Sequence, residues 1–404
     1  MVKEKRKTRK NNHISSLGKV LMLIHVLFSL CNALSNTFVN VYLFRLTSDL
    51  KYLGIYNIIV YFFVPVAFIL SGYIARKKGT TYCFRLGIVF YIIFYLSVLI
   101  LKEKVKEFLP LVGVFSGLAM GFYYYGYNKL VFDVTDDKNR GYYLGISGSI
   151  ISITAALAPM LSGFVIVNFI GMLGYYIIFG ISFVLFVLAI ILSSKLKNEK
   201  LSGTFNFKET LLNSGYKPWD KIMRANFLMG LKDGAMAYLL NILVYLIFGN
   251  ELAMGKYTTI VSILGIISSY IVGKLYKRDK ASKWLFSAAI SIFISTILLV
   301  ILNNRTGIVI NGIVSSIFTI FWNVPFNEIM YHVAHKASEK KDNLGDLLIV
   351  REIPIAAGRI LGFILYISVS LLFVGDTPIK IILPLLASIG VINFIYLRTV
   401  IKEK

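Results

Sequence analysis

The stretch Leu347–Ile367, LLIVREIPIAAGRILGFILYI, carries Arg351, Glu352 and Arg359 inside an apolar block long enough to cross a membrane. A second such block holds Lys232 and Asp233. Charge in hydrocarbon costs several kcal/mol unless it is paired or wetted. These residues therefore mark an interior that water, a proton or a substrate can reach. A carboxyl group there can take a proton on one side and release it on the other. Asp233, about eight residues or ~12 Å into its block, is the first expected proton site, and Glu352 is the second. The competing reading of Asp233 is a permanent ion pair with a basic residue of a neighbouring helix. Arg359 either pairs with Asp233 or binds an anionic substrate group.

Uncharged polar residues are patterned as well. His25, Ser29, Asn32, Asn36 and Asn40 follow at steps of 4, 3, 4 and 4, which at ~100° per residue gives one narrow helical stripe. Asn226, Asp233 and Asn241 form a matching stripe in the later block, with Lys232 lying off it. Lipid cannot satisfy amides, so both stripes must face protein or water. They line a polar path or only bind helices together. The run Phe122, Tyr123, Tyr124, Tyr125 and Tyr127 covers all faces of a helix. Its rings pack, or stack on an apolar or cationic substrate. Asn128, Trp322 and Asn323 belong with it by the repetition described below.

The elements that must position these residues are membrane spans. The chain has 404 residues, 57% of them hydrophobic, gathered in blocks of roughly 20 that suit a ~30 Å hydrocarbon core. Hydropathy predicts twelve, near 17–43, 53–75, 82–101, 108–133, 141–168, 172–194, 222–248, 252–275, 282–302, 306–331, 344–373 and 378–400. The net charge of +23 does not point to nucleic acid, because it concentrates in alternate loops. By the positive-inside rule those loops and both termini are cytoplasmic. The expected organisation is a basic tail over 1–16, a six-helix unit over 17–194, a polar linker over 195–221 and a second six-helix unit over 222–404. The first apolar block lacks a small-residue cleavage site, so no removable signal peptide is expected. Usage rich in Lys, Ile and Asn suggests a bacterial source. No P-loop is present, so ATP-driven pumping is not expected. No enzyme activity, cofactor or metal site is expected either; His332 and His335 lack a carboxylate-rich metal set.

The two units repeat. An ungapped shift of 201 pairs Gly54 with Gly255, Tyr56 with Tyr257, Gly72 with Gly273, Asn40 with Asn241, Asn32 with Asp233 and His25 with Asn226. A shift of 195 lays Tyr127–Asp133 on Trp322–Glu328, so that Asn128 meets Asn323. Gly163-Phe164 matches Gly362-Phe363 at a shift of 199. A helix beginning at Pro354, a favoured first-turn residue, would leave Arg351 and Glu352 interfacial and let Arg359 snorkel; the repeat instead projects the eleventh span's start to about 341–342, placing Pro354 inside the helix as a kink and the three charges toward protein. Six spans per unit make the repeat parallel.

At this point the chain resembles the major facilitator superfamily of transporters. The supporting motifs are Gly72-Tyr-Ile-Ala-Arg-Lys-Lys-Gly79 after the second span, Asp133-Val-Thr-Asp-Asp-Lys-Asn-Arg140-Gly141 between the fourth and fifth, and Ala158-Pro159-Met-Leu-Ser162-Gly163 in the fifth. Arg76 stands where the family usually has Asp, so the family's own latch pattern does not carry over. The resemblance implies an all-α membrane protein, two pseudo-symmetric six-helix bundles, and a central cavity lined by the first and seventh spans. It implies a transporter working by alternating access in a bacterial cell membrane, expected as a monomer among membrane lipids. Proton-coupled efflux of an amphipathic, drug-like or lipid-like compound is the leading expectation. An importer of a sugar, amino acid or peptide is the transport rival, and a sensor or scaffold the rival of another class. The expected cavity residues are His25, Asn32, Asn36, Asn40, Tyr124, Tyr127, Asn128, Asn226, Asn241, Trp322, Asn323 and Arg359. Arg76, Lys77, Asp133, Arg140, Lys277, Arg278, Glu328 and Arg351 fall on the basic face. Paired across the units they would latch that face; snorkelling at the interface is the alternative.

Overall fold

The computed structural model describes residues 14–136, 139–212, 216–338, 344–373, 375 and 377–402. Most of the basic tail, Lys138 and part of the loop around Lys340 lie outside them. Thirteen α-helices follow in order: α1 (Ser16–Thr47), α2 (Leu50–Lys78), α3 (Thr80–Leu101), α4 (Leu109–Val134), α5 (Arg140–Asn168), α6 (Leu173–Ser193), the short α7 (Phe207–Leu212), α8 (Lys217–Phe248), α9 (Glu251–Leu275), α10 (Ala281–Leu302), α11 (Arg305–Ser338), α12 (Leu344–Leu372) and α13 (Thr377–Lys402). All but α7 are long and apolar. Thr80–Val134 forms one helical stretch of 55 residues, far longer than the ~20 residues a crossing needs. A 3₁₀ segment over Lys102–Phe108, opened by Lys102 at φ 48°, divides it into α3 and α4. The protein is thus an all-α membrane protein of twelve crossings.

Local chemistry sets the helix ends. Ser15, Asp49 and Asn250 cap α1, α2 and α9 by accepting from the amides of Gly18, Lys51 and Ala253 at 3.0, 2.8 and 2.8 Å. Ser48, Gly249 and Asn303 stop their helices in the left-handed conformation. Pro354 lies within α12, which begins at Leu344. The early start predicted by the repeat is therefore what the chain adopts.

Small residues set the packing. Gly113, Gly117 and Gly121 repeat every four residues along α4. A Cβ at Gly117 would lie 2.4 Å from the Val60 carbonyl oxygen of α2, and one at Gly121 would lie 2.5 Å from that of Val64. The second unit uses the same device. Gly230 and Gly234 of α8 oppose Gly358 and Gly362 of α12, and a Cβ at Gly358 would lie 2.1 Å from the Phe227 oxygen. Such spacing lets backbones touch where lipid offers no hydrophobic drive for association.

Two seams join the units. α2 meets α12 along its length: Gly54 touches Ile367 near one end, and Gly72 touches Ile349 near the other. α5 meets α9 closely at the face away from the linker. There Gly163 closes on the Glu251 oxygen and Gly255 on the Pro159 oxygen, with a built Cβ 2.4 Å away in each case. Toward the linker face, nothing stands within 4 Å of a Cβ at Gly145, Gly148 or Gly273.

The linker is not a free tether. The Thr80 amide donates to the Glu199 oxygen at 3.1 Å, the Leu201 amide to the Ala75 oxygen at 3.2 Å, and the Thr81 hydroxyl to the Lys197 oxygen at 2.6 Å. Phe205 then lies on Gly72. The glycine-framed basic loop of 72–79 is a seat for the linker.

Substituting Gly117 by Ala should cost about 1–3 kcal/mol, since backbone must move to admit the methyl. Gly180→Ala, at a position with no atom within 4 Å, should be neutral or slightly stabilising. Thermal melting of the two variants in one detergent checks this; equal melting temperatures would show that the α2–α4 seam is looser than drawn.

Candidate functional site

The Gly234–Arg359 contact organises the middle of the second unit. A Cβ on Gly234 would sit 2.8 Å from Arg359 Cα, so α12 flanks α8 on this side. On the other side Lys232 reaches across the Trp322 ring of α11, 5.6 Å from its centroid, and runs past Gly390 of α13. Asp233 lies between these two positions on α8, its side chain 45% exposed. Its partner is Lys232, whose Nζ lies 2.9 Å from Oδ1 and is itself nearly buried. Lys232 leaves the helix off the polar stripe, as its position predicts, but its long side chain bends back to the carboxylate. Arg359 does not pair with Asp233. Its guanidinium lies 4.8 Å from the centroid of the Tyr61 ring on α2, reaching into the first unit. Phe363 packs between Tyr61 and Tyr238, stacked on the first at 5.9 Å and tilted against the second at 5.4 Å.

The α1 stripe divides into a dry end and an open middle. His25 is buried, with Nδ1 2.9 Å from the Tyr123 hydroxyl and its ring stacked 3.6 Å from Tyr127. Phe28 extends the stack, 3.7 Å from Tyr123. His25 and Tyr127 are therefore packing residues rather than cavity lining. Tyr123 and Tyr125 are buried too, and of the α4 tyrosines Tyr124 alone is half-open. Asn36 is exposed and Asn32 half-buried. Asn40 accepts from Asn57 of α2 at 3.3 Å. Ser35, one position off the stripe, bonds Ser182 of α6 at 2.6 Å. In the second unit Asn226 is buried and donates to the Ile222 oxygen of its own helix at 2.9 Å, so it too leaves the expected cavity set. Trp322 is buried beneath Lys232. Asn241 and Asn323 are half-buried, and Asn128 is exposed.

Arg351 and Glu352 are neighbours in sequence and in space. The guanidinium donates to the carboxylate at 2.7 Å, and Arg351 also reaches Met330 Sδ at 3.7 Å. This pair is half-buried within the second unit, so Arg351 does not bridge the units.

The linker face carries a single cross-unit ion pair among the described residues, and its acidic member went unpredicted. Arg76 donates to both carboxylate oxygens of Asp346 at 3.0 Å, with its face 5.4 Å from the Phe205 ring. Asp133 instead bonds Lys129 one turn back at 3.0 Å. Glu328 takes Arg278 at 3.1 Å and the Tyr276 hydroxyl, both within the second unit. Burial, with that carboxylate beside it, holds the Tyr276 hydroxyl protonated above its ordinary range. Arg140 donates to Thr135 at 3.2 Å, and Lys77 and Lys277 are exposed. The opposite face has its own cross-unit cluster. Buried Glu251 of α9 accepts from Arg45 of α1 at 2.9 Å and from the Tyr175 hydroxyl of α6 at 2.7 Å. No charge pattern in the sequence singles out Arg45 or Glu251, since the loops of that face also carry Asp49, Lys51 and the charged run Lys102–Glu107.

Known proteins give the architecture its context. The chain is 29% identical over 367 residues to the uncharacterized protein YqgE of Bacillus subtilis (strain 168), covering 91% of this chain and 85% of that one. A bacterial homologue of the iron transporter ferroportin in its inward-facing state superposes with a TM-score of 0.73 at 14% identity, over 95% of this chain and 98% of the other. The nucleoside transporter NupG gives 0.71 at 13% identity over 95% and 99%. A POT family transporter in complex with a thioalcohol-conjugated peptide gives 0.71 at 12% over 95% and 96%. At such identities these likenesses concern the fold alone. The sequence profile described as Major Facilitator Superfamily matches residues 21–345, and by that match, over most of its length, the chain belongs to the major facilitator superfamily of membrane transporters.

Proposed function

We propose that this transporter works by alternating access as a proton-coupled exporter of an amphipathic, drug-like or lipid-like compound. The observation that carries the reading is Asp233: a carboxylate in the middle of a membrane-length helix, its side chain 45% exposed and balanced by a lysine of its own helix. A carboxylate so placed can exchange its proton with water without unpacking a helix. Glu352 is the weaker proton site, since Arg351 already holds it at 2.7 Å. The first unit offers neutral amides at Asn32 and Asn36 and one half-open ring at Tyr124. Export rests on the Ala158-Pro159 segment and the scarcity of charge in that unit's α1 stripe; the α4 aromatics argue for it less than their number suggests, because most are buried. Basic loops assign the linker face to the cytoplasm, with both termini there.

Under this reading the two units, 17–194 and 222–404, rock about the crevice. The Arg45–Glu251–Tyr175 cluster latches the outer face, and Arg76–Asp346 joins the units at the inner one. Each must break in turn.

Two measurements test these assignments. In proteoliposomes with an imposed pH gradient and a panel of amphipathic dyes, Asp233→Asn should lower gradient-driven flux about tenfold or more while gradient-free exchange persists. Glu352→Gln should lower it only a few-fold. Full coupling in Asp233→Asn would remove the proton-site assignment. Separately, a cysteine at Asn36 should be labelled several-fold faster by an impermeant reagent from the outer face when Glu251 becomes Gln. An unchanged rate would mean that the cluster is not a latch.

A further inference from the structure

The charges inside the crevice do not cancel. Asp233 is taken by Lys232 and Glu352 by Arg351. Arg359 is left over, and among the described residues no carboxylate stands within ion-pairing distance of it. Its polar surroundings are the face of Tyr61 at 4.8 Å and, within electrostatic reach, Tyr124. A ring face is weak compensation for a cation at this depth. Nor is the position accidental. The Gly234 contact presses the root of Arg359 against α8, so the side chain has to leave across the crevice toward α2. Arg359 is only half-buried, and a guanidinium held by no carboxylate can donate to a ligand. Beside it stands the half-buried ring of Tyr61, backed by the buried rings of Phe363 and Tyr238.

We infer that the substrate is an organic anion, its carboxylate, sulfonate or phosphate group held by Arg359 and its apolar body laid against the ring of Tyr61. This rests on the transport reading above and narrows it to one charge class. A planar guanidinium donates two parallel bonds to such a group, and a ligand seated there touches α2 of one unit and α12 of the other. Binding would therefore report to both bundles at once. It would also complete the charge balance, leaving the loaded crevice neutral.

The test uses the full chain in nanodiscs and three probes of similar body whose charge does not change with pH: naphthalenesulfonate, naphthyltrimethylammonium and naphthyl glucoside. Wild type should prefer the sulfonate by about tenfold or more. Arg359→Gln should abolish that preference, and Arg359→Lys should restore part of it. A wild type without anion preference, including one that binds none of the three, overturns the inference, as does a preference that survives Arg359→Gln. Should Arg359→Gln fail to fold, the wild-type preference and its partial retention in Arg359→Lys decide. The underlying transport reading fails differently: no compound of any charge would then be moved by proteoliposomes.

Discussion

The crossing of α8 and α12 is the contact on which the site depends. Lipid tails are as apolar as leucine, so helices gain nothing by hiding apolar side chains from them, and close approach must supply the attraction. Here Gly230 and Gly234 face Gly358 and Gly362, with backbone atoms where any Cβ would collide. Everything chemical in the second unit hangs from that crossing. Asp233 is held between its flanks, Lys232 is turned outward to Trp322, and Arg359 is forced across the crevice. A larger residue at any of these glycines would part the helices and lengthen several of these contacts together.

The two seams between the units are unequal in a way that the internal repeat exposes. Gly54 and Gly255 are repeat partners, and each sits in a cross-unit seam at the face away from the linker, against α12 and α5. Gly72 and Gly273 are also repeat partners, yet only Gly72 is covered, by Phe205 and Ile349. The difference traces to the linker, which exists once and can cover one seam only. It seats on the α2 end and packs Phe205 against Arg76, beside the Arg76–Asp346 pair. The pseudo-symmetric partner at α9, Gly273, has no such cover.

Much of the fold was legible because its signals are one-dimensional. Twelve apolar blocks, their near-even spacing and the repeat all follow from length and hydropathy, and the repeat even settled where α12 begins. Site chemistry was less legible, for physical reasons. A stripe gives the direction of a Cα–Cβ bond, not how far a side chain travels, so Lys232 was placed off the site although four methylenes bring its ammonium back to Asp233. His25 shares the stripe of Asn36, but α4 tyrosines close over one end of it and not the middle; that depends on another helix. Asp346 and Glu251 had no pattern around them, since an ion pair across 270 or 206 residues leaves no local period. The Gly-x-x-x-Gly spacings of α8 and α12 were present in the sequence and would have named the crossing.

The location of each ion pair bears on the cost of rocking. Lys232–Asp233 and Arg351–Glu352 are adjacent residues on single helices, so they travel as rigid bodies and stay paired whichever face opens. Charges at mid-membrane are the most expensive to separate, and this arrangement never separates them. The pairs that must break, Arg45–Glu251 and Arg76–Asp346, lie at the helix ends, where incoming water replaces the lost partner. Cross-unit pairing of Asp233 with Arg359 would have placed the breaking bond at the deepest point and raised the barrier between states. Local neutralisation of Asp233 removes that barrier and leaves Arg359 without a permanent carboxylate. The same economy that frees the bundles to move thus leaves one cation at their centre to be met by a ligand.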